Sequence, residues 1–251
     1  MIRHPVRTAG LLAGVLFLAA CAAPPAAVEA PPEPPAHLTA EVLSRYGVQA
    51  DGEFTVPAVP TEHLTPGNLR QIVSFRTPEP PGTVIVDPWT KYLYFALPDA
   101  QTIRYRVAVG DEGRAFAGRA RISYTREWPS WRPTDNMSRE FPDVYGPLRK
   151  GMEGGVMNPL GARALYLHRN GKDTFYRIHG TSDFASVGEA TSAGCIRLFH
   201  QDVIELERLV RSGAAIIVLK PVESQKLTRE QPHLAVLPSS DPAPTNQSEP
   251  S

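Results

Sequence analysis

Between Ala164 and His179 the chain is written to double back on itself. Ala164-Leu165-Tyr166-Leu167-His168 and Thr174-Phe175-Tyr176-Arg177-Ile178-His179 are rich in aromatic and branched residues, and Asn170-Gly171 separates them. Both turn residues accept the positive φ that a tight antiparallel turn demands, so the stretch reads as a β-hairpin. That commits this part of the chain to a sheet. It also fixes where the second strand ends, at His179, just before Gly180 lets the backbone turn away.

More strands precede it. Thr83 to Asp87, Lys91 to Ala96 and Thr102 to Val109 are β-branched and aromatic with turn residues between, and Gly118 to Tyr124 reads as a fourth. His168 is expected as an exposed strand residue rather than a ligand. Trp128-Pro129-Ser130-Trp131 opens an irregular stretch running to Asn158, too long for a bare connection and so either a substrate-covering insertion or a flexible one. The two tryptophans are expected to pack on the sheet. Gln201 to Arg211 reads as a helix presenting Val203, Ile204, Leu206, Leu209 and Val210 on one broad face, and Ala214 to Leu219 as a buried strand. The fold class is mainly β, with one helix after Cys195.

His179 and Cys195 lie sixteen residues apart, each beside a glycine and each at the edge of an apolar run. A cysteine thiol has a pKa near ~8.5 and needs a neighbouring imidazole or aligned backbone dipoles to become a nucleophile at neutral pH. His179 is placed to be that partner, with an imidazolium lowering the thiol pKa. Gly194 has no side chain to obstruct a substrate carbonyl, and the amides at and before Cys195 are candidate oxyanion donors. Arg197 would project on the same side as Cys195 along an extended segment, where it suits a carboxylate. Against this stands the ordinary reading, in which a cysteine is a small buried hydrophobe and a histidine a satisfied polar group.

The whole string shifts the balance. His179-Gly180-Thr181, followed by Ser192-Ala193-Gly194-Cys195-Ile196-Arg197-Leu198, resembles the active-site signature of the L,D-transpeptidase (YkuD-type) catalytic domain of bacterial cell-wall enzymes. Asn158 to Leu165 and Asp202 to Leu206 resemble the family's segments before the histidine strand and after the cysteine. The resemblance covers roughly residues 80 to 220 and implies an L,D-transpeptidase-like β-sandwich or barrel. It also implies that Cys195 is the nucleophile, His179 the base and Gly180, through its carbonyl, the group that orients the ring. Arg197 and Gly194 would bind substrate and Ser192 would brace the nucleophile loop, with neither cofactor nor metal. The implied substrate is the meso-diaminopimelate–D-alanine bond of a peptidoglycan tetrapeptide stem. Ala193 departs from the histidine or lysine of many members, His200 from a frequent asparagine, and the segment at Phe116-Ala117-Gly118 from a frequent Thr-Pro pair.

The ends of the chain have a different texture. Arg3 and Arg7 precede an apolar run from Ala9 to Ala20, a secretory signal too short to span a bilayer stably, and Leu18-Ala19-Ala20-Cys21 looks like a lipobox. Residues 1–20 are read as the signal and 21–37 as a lipidated Cys21 with a Pro/Ala-rich tether reaching on the order of 50 Å. Residues 38–79 are read as an N-terminal arm, with a short helix near Leu38 to Tyr46. Residues 80–220 form the catalytic domain and 221–251 a disordered tail. Ala22 in place of aspartate points, by resemblance to enterobacterial sorting, to the outer membrane and so to the periplasm. With Cys21 acylated, Cys195 is the only remaining cysteine of the two. The 26 basic and 26 acidic residues balance, which gives no reason to expect a nucleic acid. Stem peptides and the membrane are the expected partners, with an outer-membrane protein as a further acyl acceptor. A peptidoglycan hydrolase (L,D-carboxypeptidase or amidase) and a non-catalytic wall-binding lipoprotein remain open as alternatives.

Overall fold

The computed structural model describes residues 35–110, 116–191 and 195–234, and these described residues form one compact unit. Cys21, Ser192, Gly194, the signal and most of the tether therefore lie outside the described residues.

A short helix, α1 (Ala40–Arg45), is capped by Thr39, whose hydroxyl accepts from the Val42 amide at 3.3 Å. A small hairpin of β1 (Gln49–Asp51) and β2 (Phe54–Val56) follows. The chain then enters the main sheet with β3 (Gln71–Ser74), β4 (Val84–Asp87), β5 (Tyr92–Ala96) and β6 (Gln101–Arg106). The stretch read as one strand to Val109 is instead divided at Val107. β6 pairs with β5, whereas β7 (Ala108–Gly110) pairs with other strands at the far edge. The Val107 amide bonds to Lys91 O at this corner, where the chain crosses from one part of the sheet to another. β8 (Gly118–Glu127), β9 (Arg163–Arg169), β10 (Lys172–Thr181), β11 (Ala190–Thr191), β12 (Ile196–Phe199) and β13 (Ala214–Val218) complete it. Among the described residues eleven strands join in the order β11-β7-β12-β10-β9-β8-β13-β4-β5-β6-β3.

One face of this sheet closes on a core of Val84, Leu93, Tyr105, Ile122, Leu165, Ile178, Ile196, Leu198 and Ile216. The helix after Cys195, α4 (His200–Leu209), buries Val203 and Leu206 in the same cluster, as its apolar face predicts. The hairpin turn is as read, with Asn170 at φ 53° and Gly171 at φ 74°. Between β8 and β9 the long insertion is partly helical, with α2 (Asp135–Glu140), α3 (Pro142–Tyr145) and an antiparallel bridge between Trp131 and Met152. Trp131 packs on the sheet beside Leu160, Ala164 and Tyr166. Trp128 stacks on Phe54 of the small hairpin instead. His168 is half-buried, edge-on to Tyr124, rather than exposed.

The expected disordered tail needs correction over its first part. Residues Pro221–Glu230 form α5, with Pro221 in the first turn and Glu223 reaching back to the Lys220 amide at 2.7 Å. Ser224 donates to Asp87 at 2.8 Å, and the Gln231 side chain bonds both the amide and carbonyl of Arg76. Leu227 and Leu234 pack with Phe75 and Tyr94. The polar composition of this segment concealed a helix anchored by a few long-range contacts. Residues 235–251 lie outside the described residues.

Candidate active site

His179 occupies the last turn-ward part of β10, and its side-chain face follows from strand alternation. Ile178 points into the core with Ile196 and Leu198, so His179 and its register partner Arg197 share the opposite face. The ring is nonetheless only 4% exposed. Its Nδ1 lies 2.8 Å from Gly180 O. A carbonyl can only accept, so Nδ1 carries the proton and Nε2 keeps a lone pair. Burial pulls the His179 pKa down to about 4; the bond to Gly180 O opposes this, and the positive Arg197 nearby reinforces it. The resting ring is thus neutral at pH 7. The ring's acceptor nitrogen, Nε2, is thereby selected.

Cys195 is half-buried and leads directly into β12. β12 runs parallel to β10 with Ile178 opposite Ile196 and His179 opposite Arg197. Adjacent strands lie about 4.8 Å apart with about 3.3 Å per residue, so the cysteine enters the sheet beside the histidine strand. The parallel pairing brings two residues sixteen positions apart in sequence to neighbouring strands. Arg197 sits 3.9 Å from Asp183, at the rim of the same face.

A second histidine, His200, is the functional-site neighbour whose part the sequence did not disclose. It is fully buried at the start of α4. The Ala162 amide donates to its Nδ1 at 3.2 Å, so the proton resides on Nε2, which is 3.1 Å from Ser182 Oγ. Ser182 Oγ in turn donates to Val156 O at 2.5 Å. Burial pulls the His200 pKa down to about 4 as well. Around it the backbone is tight, since a Cβ on Gly180 would lie 2.6 Å from His200 Nδ1 and one on Gly161 2.3 Å from its Cε1. The signal in the sequence was the departure from asparagine at this position. Its partners, a backbone amide and a serine, could not be read from it.

The L,D-transpeptidase catalytic domain model (YkuD) matches residues 81–218, more than half of the chain. The chain belongs to the L,D-transpeptidase catalytic-domain family. It is similar to the probable L,D-transpeptidase ErfK/SrfK of Escherichia coli K12, 31% identical over 144 residues, 56% of this chain and 45% of that protein. It is also similar to the putative L,D-transpeptidase YkuD of Bacillus subtilis 168, 32% identical over 124 residues, covering 49% of this chain and 70% of that one. A solved structure from Brucella melitensis, described as a probable carnitine operon oxidoreductase, is 42% identical and covers 62% of this chain and 96% of its own, with a TM-score of 0.44. The chain spans about half the length of ErfK/SrfK.

In this member of the family the arm before the domain supports the site from outside. Phe199, next to His200, is buried among Tyr46, Val59, Leu64 and Val187. Gln201 at the start of α4 donates to Pro57 O at 2.9 Å and Gly47 O at 3.1 Å. Tyr46 donates to the buried Asp202 at 3.1 Å and accepts from the Arg70 amide at 2.7 Å. Burial raises the Asp202 carboxyl to about 7 against the opposing pull of Arg45. Arg45 and Arg70 both pair with Glu205, and Arg163 holds Asp51 of the small hairpin through two bonds of 2.6 and 2.9 Å. The arm also supplies the edge strand β3 to the sheet.

Proposed function

We propose that this protein is a peptidoglycan L,D-transpeptidase in which Cys195 is the nucleophile and His179 the base. The observation that carries the reading is the bond from His179 Nδ1–H to Gly180 O at 2.8 Å in a strand paired in parallel with the one Cys195 begins. It leaves a neutral, acceptor-ready Nε2 on the strand neighbouring the thiol, which is the orienting role a triad carboxylate plays elsewhere.

In the first half-reaction the sulfur attacks the carbonyl carbon between meso-diaminopimelate and the terminal D-alanine, and the thiol proton passes to His179 Nε2. Negative charge develops on the former carbonyl oxygen, for which the amides at and before Cys195 are the candidate donors. The C–N bond breaks as the imidazolium returns the proton to the departing D-alanine amine, and a thioester remains. In the second half-reaction an amine of another stem, or of an outer-membrane protein, attacks the thioester carbonyl carbon and gives a proton to the neutral ring; the C–S bond breaks and the imidazolium returns that proton to the departing sulfur, restoring the thiol. Arg197, beside His179 and at the rim, is the group suited to a stem carboxylate. Gly194 and Ser192 complete the nucleophile loop in this reading. Attachment through an acylated Cys21 is supported by the apolar run ending Leu18-Ala19-Ala20-Cys21, and Ala22 after it favours the periplasmic face of the outer membrane. Among the described residues no helix is long and apolar enough to cross a membrane. Labelled palmitate incorporation, lost in Cys21→Ser, tests the anchor.

The reaction is tested by incubating the unit from Pro35 with purified disaccharide tetrapeptide and following products by mass spectrometry, with Cys195→Ala alongside. A dimer lacking one D-alanine establishes transpeptidation; tripeptide alone establishes hydrolysis; unchanged tetrapeptide with the wild-type protein refutes the assignment.

A further inference from the structure

The geometry points to His200 as a positioning residue for the reaction, acting through hydrogen bonds that hold the backbone around His179; this rests on the Cys195/His179 reading. His200 belongs to neither half of the signature. It touches the backbone that orients His179. Its ring lies against Gly180, whose carbonyl fixes the His179 tautomer, at a separation that leaves no room for a Cβ.

The bonding is directional along its whole length. Ala162 N–H donates to His200 Nδ1, His200 Nε2–H donates to Ser182 Oγ, and Ser182 O–H donates to Val156 O. Ala162 immediately precedes β9, whose Ala164 is the antiparallel partner of His179. Ser182 immediately follows β10, three residues beyond His179. Val156 belongs to the end of the insertion, which Asn158 ties down by donating to Met152 O and Glu153 O and accepting from Leu160 N–H. One neutral imidazole therefore fastens the start of α4 to the residues flanking His179 on two strands and, through Ser182, to the insertion. A buried ring with one nitrogen accepting and the other donating can do this in only one tautomer. Gly161 and Gly180 give that ring its space, the first at φ 60° where few side chains are tolerated.

The consequence is a divided kinetic effect. Loss of the bonds leaves substrate contacts in place and lets the base drift from its productive direction, so turnover falls while KM stays. His200→Leu, which fills much of the volume without either bond, is expected to lower kcat about 10- to 100-fold with KM within about twofold of wild type. His200→Asn keeps an acceptor for Ala162 N–H and is expected to recover much of that loss. Ser182→Ala, at a partly exposed position, removes the acceptor for His200 Nε2–H and the link to Val156 while leaving the Ala162 bond, and is expected to lower kcat several-fold. All are measured on the full chain with disaccharide tetrapeptide, beside thermal melts and Cys195→Ala.

Wild-type kcat in a folded His200→Leu, or a loss confined to KM, overturns the positioning role. If His200→Leu does not fold, Ser182→Ala decides: wild-type kcat there overturns the role, and a several-fold fall at unchanged KM supports it. Activity surviving in Cys195→Ala would instead remove the underlying reading. Inactive Cys195→Ala with unimpaired Ser182→Ala and His200→Leu removes the positioning role alone.

Discussion

At its C-terminal end β10 lies between β9 and β12, and every residue from Ile178 to Thr181 is buried. At its other end it meets β9 across the Asn170-Gly171 turn, and its ladder slips between Asp173 and Arg177. There Phe175 sits at φ 64° with 77% of its surface exposed. The same strand thus carries a backbone fixed from both sides and one that tolerates a bulge. What separates them is how many neighbours share each peptide group. The first end has to aim an imidazole; the second only has to reverse the chain.

The largest effect is expected from removing the groups proposed to react, at and beside the fixed end. Cys195→Ala should abolish release of D-alanine, and His179→Gln should lower kcat by at least about 1,000-fold, since both the acceptor nitrogen and its alignment are lost. Residual turnover within tenfold of wild type in His179→Gln would mean that another base serves the thiol.

Glycine substitution compares the two ends directly. Gly180→Ala drives a Cβ to 2.6 Å from His200 Nδ1 and 3.2 Å from Val203 Cγ1, so it should cost about 3 kcal/mol or more and lower kcat. Gly171→Ala meets nothing within 4 Å and pays only for its φ of 74°, about 1 kcal/mol, with activity retained. Chemical denaturation with paired kinetics checks both. Equal costs would erase the contrast between the two ends.

Acid should act on the fixed end as well. His179 and His200 are each held near 4, below the 6.5 of an unfolded histidine, so the unfolded chain binds more protons between those values and stability falls as the pH drops from 6.5 to 4. Each contributes about 3 kcal/mol over that window at ~1.4 kcal/mol per unit. Asp202, raised to about 7, works the other way and offsets roughly one of the two. Melts between pH 7 and 4 should show a net loss near 3 kcal/mol, reduced in His200→Asn. A stability flat across that range in wild type would contradict burial of two neutral rings.

The hairpin, the histidine at its end and the helix after Cys195 were legible because each is local: a turn dipeptide, an alternation, an apolar face. The signature supplied the two residues proposed to react. What escaped was set by contacts between distant segments. α5 looked like a polar tail, although Pro221 and Glu223 carried a helix-start pattern; its anchors, Asp87 and Phe75, are far away in sequence. His200 stood out only as a departure, because the amide it accepts from is 38 residues upstream. The strand break at Val107 was hidden for the same reason, since alternation runs through it and only the choice of partners changes.

The smallest effect belongs to the tolerant end, and there the expected sign is stabilising. An aromatic residue in the left-handed region is strained, because its Cβ crowds the following carbonyl, while asparagine enters that region more easily. The Phe175 amide already bonds to Asp173 Oδ1 at 2.8 Å, a local turn that does not depend on the ring. With the side chain mostly in solvent, Phe175→Asn forfeits little buried area and relieves the backbone, so it should raise stability by about 0.5–1 kcal/mol at unchanged kcat and KM. Denaturant midpoints resolve a change of that size. A loss of stability would show that the ring's contacts outweigh the strain, and a loss of turnover would show that the bulge aims Phe175 at substrate, joining the two ends of β10 in one function.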